Sequence, residues 1–337
     1  MIKWHDIQDW GVEGKGWSDT VKYFDRLPAK AEKSVPEGVW NLSRSATGMA
    51  ALFETDAPEI HARWKLSSEQ IGELNFPAAG FSGVDLCTDF GGKWRWVGAG
   101  HQVKNRNPEQ CLINGMKSAR RRFILYLPLR NPVEKVEIGV PDESKFKTVS
   151  PRPEKPLVFY GTSIVHGAYA SHSGMVHPSI LGRWLDRPVI NLGVSGQARM
   201  EASLAELVAE LEAEIFILDA LPNMDLTMVR ERTEPFVRIL RKAHPATPIV
   251  MVEDRPRTNA WIKPAQLAEH KEKWSAYNKV YEKLRKNGMK NLYYIKGLNL
   301  FGNDSEGSLD SSHPSDLGYM RMAESLYPLL SRLCKGK

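Results

Sequence analysis

At Pro151-Arg152-Pro153-Glu154-Lys155-Pro156 the hydrophobic period of the chain changes, and no single sheet or bundle satisfies both periods. Upstream, Ile60, Ala62, Trp64 and Leu66 alternate with His61, Arg63 and Lys65, and Val136, Ile138 and Val140 alternate with Glu137 and Gly139. Period two with one wet face predicts antiparallel strands. Turn formers such as Ala78-Ala79-Gly80, Gly91-Gly92 and Asn105-Arg106-Asn107-Pro108 divide them at spacings that suit a jelly-roll-like β-sandwich. Downstream, Leu157–Tyr160, Val189–Leu192, Ile215–Leu218, Ile249–Val252 and Leu292–Ile295 are short, unbroken apolar runs, as in strands buried on both faces. Helix-length segments over 201–212, 229–243, 264–287 and 316–333 follow them, predicting a three-layer α/β/α fold on a parallel sheet. The proline-rich segment, which favours extended chain that pairs poorly, is read as the boundary between domains 1–150 and 151–337.

Composition removes several classes of function. The 337 residues carry 46 Lys plus Arg against 40 Asp plus Glu, a mild excess, and Arg120-Arg121-Arg122 stands alone without the interleaved aromatics of a nucleic-acid face. No apolar run approaches the roughly 20 residues that span a bilayer. Met1–Asp6 has no apolar leader core, so the chain as written is expected in the cytoplasm, or exported if a leader has been removed. Three scattered cysteines, Cys87, Cys111 and Cys334, form neither a disulfide framework nor a zinc ribbon. No glycine fingerprint for a dinucleotide or phosphate is found, and no cofactor is expected.

In a parallel sheet, ligands bind outside the carboxyl ends of the strands. There the chain carries Gly161-Thr162-Ser163-Ile164, Gly193-Val194-Ser195-Gly196, Asp219-Ala220-Leu221-Pro222-Asn223 and, before the last helix, Asp310-Ser311-Ser312-His313-Pro314. A hydroxyl, glycine amides, a carboxamide and a histidine with a carboxylate three residues upstream form the inventory of a serine hydrolase. Serine needs a base, for which His313 is placed, and Asp310 would orient that imidazole. The oxyanion would be met by the Ser163 and Gly193 backbone N–H groups and the Asn223 side chain.

Gly161-Thr162-Ser163-Ile164, Asn191-Leu192-Gly193, Asn223 and Asp310-Ser311-Ser312-His313-Pro314 resemble the four blocks of the SGNH/GDSL hydrolase superfamily, in the same order, although Gly-Thr-Ser-Ile replaces Gly-Asp-Ser-Leu and Met224 follows Asn223. Gly83-Val84-Asp85-Leu86-Cys87 is similar to the signature of a β-rich domain that precedes the hydrolase in one subgroup, with Cys87 where a tyrosine is usual. The resemblance implies an esterase. We expect it to remove small acyl groups, acetyl first among them, from hydroxylated substrates such as carbohydrates. A lipase, thioesterase or arylesterase on the same triad is the alternative, as is a carbohydrate-binding protein with an inactive hydrolase fold.

Other residues have weaker claims. His166, His172 and His177 match no metal-ligand spacing, and His166 is expected at the pocket mouth. Glu253, Asp254 and Arg255 at a strand end, and Arg199, could bind a polar substrate group, an internal ion pair being the equal alternative for all four. Seven of the ten tryptophans precede residue 100. Trp94 and Trp96 share one strand face, with core filling favoured over sugar stacking.

Overall fold

The structure, a computed structural model, describes residues 1–335. Nine strands precede the proline-rich segment: β1 (Ile2–Asp6), β2 (Ala50–Thr55), β3 (Ile60–Leu66), β4 (Val84–Phe90), β5 (Lys93–Gly100), β6 (Glu109–Ile113), β7 (Arg121–Tyr126), β8 (Val133–Pro141) and β9 (Phe146–Val149). They form two antiparallel sheets, ordered β1-β8-β3-β6 and β5-β4-β7-β2-β9. One core lies between them. Ile60, Ala62 and Trp64 meet Phe53, Leu86 and Phe123 there, so the alternation read in β3 is the inward face of a sandwich. Two short helices, α1 (Glu37–Leu42) and α2 (Ala78–Ser82), lie in the connections.

The five apolar runs become β10 (Leu157–Gly161), β11 (Val189–Gly193), β12 (Ile215–Asp219), β13 (Ile249–Val252) and β14 (Leu292–Ile295), all parallel, in the order β11-β10-β12-β13-β14. Burial on both faces explains their unbroken apolar character. The helices are α3 (Ser163–His166), α4 (His177–Leu185), α5 (Ala202–Val208), α6 (Leu226–Ala243), α7 (Pro264–Lys286) and α8 (Asp316–Lys335). Leu204 of α5, Phe236 of α6 and Tyr277 of α7 cover one face, while Ile180 of α4 and Met322 and Leu326 of α8 cover the other. From β10 the chain passes to β11 on one side and then crosses back to β12 on the other, so the switch point where ligands bind in such sheets falls at the ends of β10 and β12.

Two readings change. The helix expected over 201–212 is limited to α5, and α4 was not foreseen. Trp94 and Trp96 do not fill the sandwich core: Trp94 is half-buried beneath Arg122, and Trp96 is exposed while donating to Asp85 Oδ1 at 2.6 Å.

Candidate active site

Ser163 is the first residue of α3, directly beyond β10, and remains 8% exposed. Thr162 caps the helix by accepting from the Ile164 N–H at 3.3 Å. From α8 the Tyr319 hydroxyl donates to the Ile164 and Ala168 carbonyls at 3.1 and 2.8 Å, fixing this turn to the last helix.

The loop 310–313 folds on its own carboxylate. Asp310 Oδ1 accepts from the Ser312 and His313 N–H groups at 2.9 and 2.7 Å, and Oδ2 lies 2.7 Å from His313 Nδ1. Burial works against the Asp310 charge, but these bonds from His313 and Ser312 prevail and hold its carboxyl below the ordinary value. An ionised carboxylate only accepts, so Nδ1 carries the imidazole proton and Nε2 is left as acceptor. Ser163 Oγ lies 2.8 Å from that Nε2. The structure thus brings Ser163, His313 and Asp310 into one hydrogen-bonded chain across 150 residues of sequence. Tyr169, at a left-handed φ of 64°, sets its ring 5.7 Å from the imidazole. Sequence reasoning missed it, because nothing in an isolated tyrosine reports a backbone angle.

The oxyanion donors differ from expectation. The Gly193 N–H donates to Asn191 Oδ1 at 2.9 Å, so it is not free to meet an oxyanion. What Gly193 supplies is room: an added Cβ would lie 2.6 Å from His166 Cα and 2.7 Å from the Val165 carbonyl carbon. Three residues on, Gly196 is exposed at a left-handed φ of 71°, with open space around it and no acceptor on its N–H among the described residues. Asn223 follows β12, where its Oδ1 accepts from the Ala198 N–H at 3.4 Å, leaving the amide N–H groups to face elsewhere.

Four of the weaker candidates are internal. His166 is fully buried, not at a pocket mouth: Nε2 lies 3.0 Å from the Leu129 carbonyl and 3.2 Å from Ser45 Oγ, and Nδ1 lies 3.1 Å from Ser195 Oγ. Burial, with Arg26 and Arg130 nearby, drives its pKa well below the ordinary value. Neutral His166 therefore donates from Nε2 to the carbonyl and accepts from Ser195. Glu253 is buried and accepts from the Tyr294 hydroxyl at 2.6 Å and the Gly297 N–H at 2.7 Å. Asp254 is buried against His270, Trp274 and Lys273. Arg255 is buried against Asp219, with contacts of 3.2 to 3.3 Å. Burial pushes the Asp219 carboxyl up to about 6 against the pull of Arg255. The apolar environment behind the strand ends requires each of these charges to be met by an internal partner: Glu253 by a hydroxyl and a backbone N–H, Asp254 by His270 and Lys273, and Arg255 by Asp219. Of the weaker candidates Arg199, in the loop after β11, is the one whose guanidinium has no hydrogen bond or ion pair among the described residues.

Among the described residues one group brings three metal-ligating side chains within 4.8 Å of one another: Glu59, His61 and Cys111. His61 and Cys111 face each other on β3 and β6, and the group includes neither His166, His172 nor His177. His177 is fully buried, its Nε2 4.0 Å from Asp219 Oδ2.

Sequence reasoning also missed how far the first 150 residues reach into the site. Arg26, buried, donates to the Asn191 and Gly193 carbonyls at 3.0 and 2.8 Å and to the Leu42 and Ser45 carbonyls, tying the end of β11 to the N-terminal segment. Asp85 of the signature segment, on β4, holds His172 Nδ1 at 2.6 Å and the Gly174 N–H at 2.8 Å. Burial lowers the His172 pKa, but Asp85 outweighs it and the net shift is upward. No helix among the described residues is long and apolar enough to cross a membrane.

A Ser-His-Asp chain at the switch point of a parallel sheet defines a serine hydrolase of the SGNH class. The chain belongs to the GDSL-like lipase/acylhydrolase family, which matches residues 154–331, and residues 2–146 match the N-terminus of SGNH-hydrolase-type esterases. A protein described as a GDSL-like lipase from Bacteroides ovatus is 33% identical, with a TM-score of 0.93 over 99% of this chain and 98% of that one. The salicylyl-acyltransferase SsfX3 of a tetracycline biosynthetic pathway is 20% identical, at 0.76 over 98% of this chain and 97% of its own. The acetyl xylan esterase Est2A from Butyrivibrio proteoclasticus shares the fold at 13% identity and a TM-score of 0.59, covering 100% of this chain and 99% of its own. No curated protein is significantly similar in sequence.

Proposed function

We propose that this acylhydrolase removes small acyl groups, acetyl foremost, from a hydroxylated compound such as a carbohydrate, through an acyl-enzyme on Ser163. The observation that carries the reading is the unbroken chain from Ser163 Oγ through His313 to Asp310, at 2.8 and 2.7 Å. His313 takes the serine proton as Oγ attacks the ester carbonyl, and Asp310 stabilises the imidazolium. The imidazolium then protonates the departing alkoxide. In the second half, His313 activates water, which releases the acid and restores Ser163. The oxyanion is met by the Ser163 N–H at the start of α3, the Asn223 amide and the Gly196 N–H, which takes the place of the Gly193 N–H. Residues 1–150 serve as a supporting domain and 151–337 as the catalytic one.

The acetyl and carbohydrate assignments draw support from structural likeness to carbohydrate esterases, including Est2A and a family two carbohydrate esterase from Cellvibrio japonicus. Initial rates over vinyl acetate, vinyl octanoate and acetylated oligosaccharides test them. Preference for acetyl over octanoyl, with acetate released from the oligosaccharides, supports the reading. Preference for octanoyl would replace it with a lipase.

A further inference from the structure

Beside the catalytic loop lies a groove of about 290 Å³ that the reaction chemistry above does not use. Its walls come from the segments that follow β13 and β14. One wall is bonded to the loop that carries Asp310 and His313: the Thr258 N–H donates to the Ser311 carbonyl at 2.9 Å, and Ser305 Oγ donates to the Thr258 carbonyl at 2.8 Å. Trp261 is 73% exposed at this groove and Leu298 57%, while Arg257, Asn299 and Asn303 bring polar groups to it. A large indole and a leucine left in water side by side at one groove mark the place as a contact surface.

We infer that this groove is the subsite for the leaving alcohol and that Trp261 is its platform for a sugar ring; the inference rests on the esterase reading and deepens it. The chemistry of ester cleavage sets the side. When the tetrahedral intermediate collapses, the bond between the carbonyl carbon and the alcohol oxygen breaks, and the proton His313 took from Ser163 passes to that oxygen. The alcohol must therefore leave on the flank of His313. The groove is on that flank, over β13 and β14, whereas Gly196 follows β11 at the opposite edge of the sheet. A pyranose has an apolar face of C–H groups and a rim of hydroxyls. That matches an indole flanked by a guanidinium and carboxamides, and the volume is that of a small-ligand site.

An acetylated xylo-oligosaccharide and vinyl acetate pass through the same acetyl-enzyme and differ only in the alcohol. Trp261→Ala is expected to lower the selectivity ratio, kcat/KM for the oligosaccharide over that for vinyl acetate, about ten-fold through a higher KM, with Trp261→Phe restoring most of it. An unchanged ratio would overturn the inference, as would a change confined to the ratio of vinyl octanoate to vinyl acetate, which would make the groove an acyl site. If the wild-type protein cleaves vinyl acetate but not the oligosaccharide, the carbohydrate reading fails separately. Phenyl acetate against vinyl acetate then tests the subsite, with the same loss expected in Trp261→Ala and an unchanged ratio again refuting it.

Discussion

Gly193→Ala separates two roles for one residue. An alanine keeps the backbone N–H, so if Gly193 acted as an oxyanion donor the substitution would leave catalysis nearly intact. The packing argument predicts the reverse. The added Cβ would run into the His166 backbone nitrogen even before it met His166 Cα at 2.6 Å, and ordinary contact begins at 3.4 Å, so α3 and β11 must part by about 1 Å. Neither side yields easily: the obstacle is backbone, His166 is held by Leu129, Ser45 and Ser195, and the carbonyls of Asn191 and Gly193 are held by Arg26. Overpacking of this kind costs about 1–3 kcal/mol, or on the order of 2–10 °C in melting temperature. Ser163 begins the same short helix, and a displacement near 1 Å at a reacting group costs on the order of 10²-fold in rate. Differential scanning fluorimetry and kcat on vinyl acetate measure both. A folded Gly193→Ala protein with wild-type kcat would refute the reasoning.

Asn223→Ala is expected to lower kcat by about 10²–10³-fold with little change in melting temperature, measured by steady-state kinetics on vinyl acetate. The His172–Asp85 contact adds a pH dependence to stability. The folded pKa of His172 is raised above its ordinary 6.5, so the contribution is complete below that value and is lost as pH rises through the folded value. Denaturation midpoints between pH 6 and 9 should fall more steeply for the wild type than for His172→Gln, and parallel curves would count against the contact.

What was legible in the sequence follows the range of the forces involved. Strands such as Leu157–Gly161 and Ile215–Asp219 announce themselves because burial on both faces demands unbroken apolar runs, and the triad residues stand at strand ends and in one self-folding loop. Gly193 was visible as a glycine, but its N–H partner Asn191 and the approach of His166 belong to tertiary packing. The polar run Glu253-Asp254-Arg255 at a strand end reads alike whether it faces substrate or solvates itself, and only Asp219, Tyr294 and His270 decide between the two. Arg26 gave no local signal, since its acceptors are carbonyls that every residue carries.

The claim that His313 activates Ser163 is tested most directly by reaction with a fluorophosphonate followed by peptide mass mapping. The account predicts one covalent adduct, on Ser163, formed far more slowly in His313→Ala, and a fall in ester turnover of at least about 10⁴-fold in Ser163→Ala. An adduct on a different residue, or a Ser163→Ala protein that still turns over ester at the wild-type rate, would contradict it.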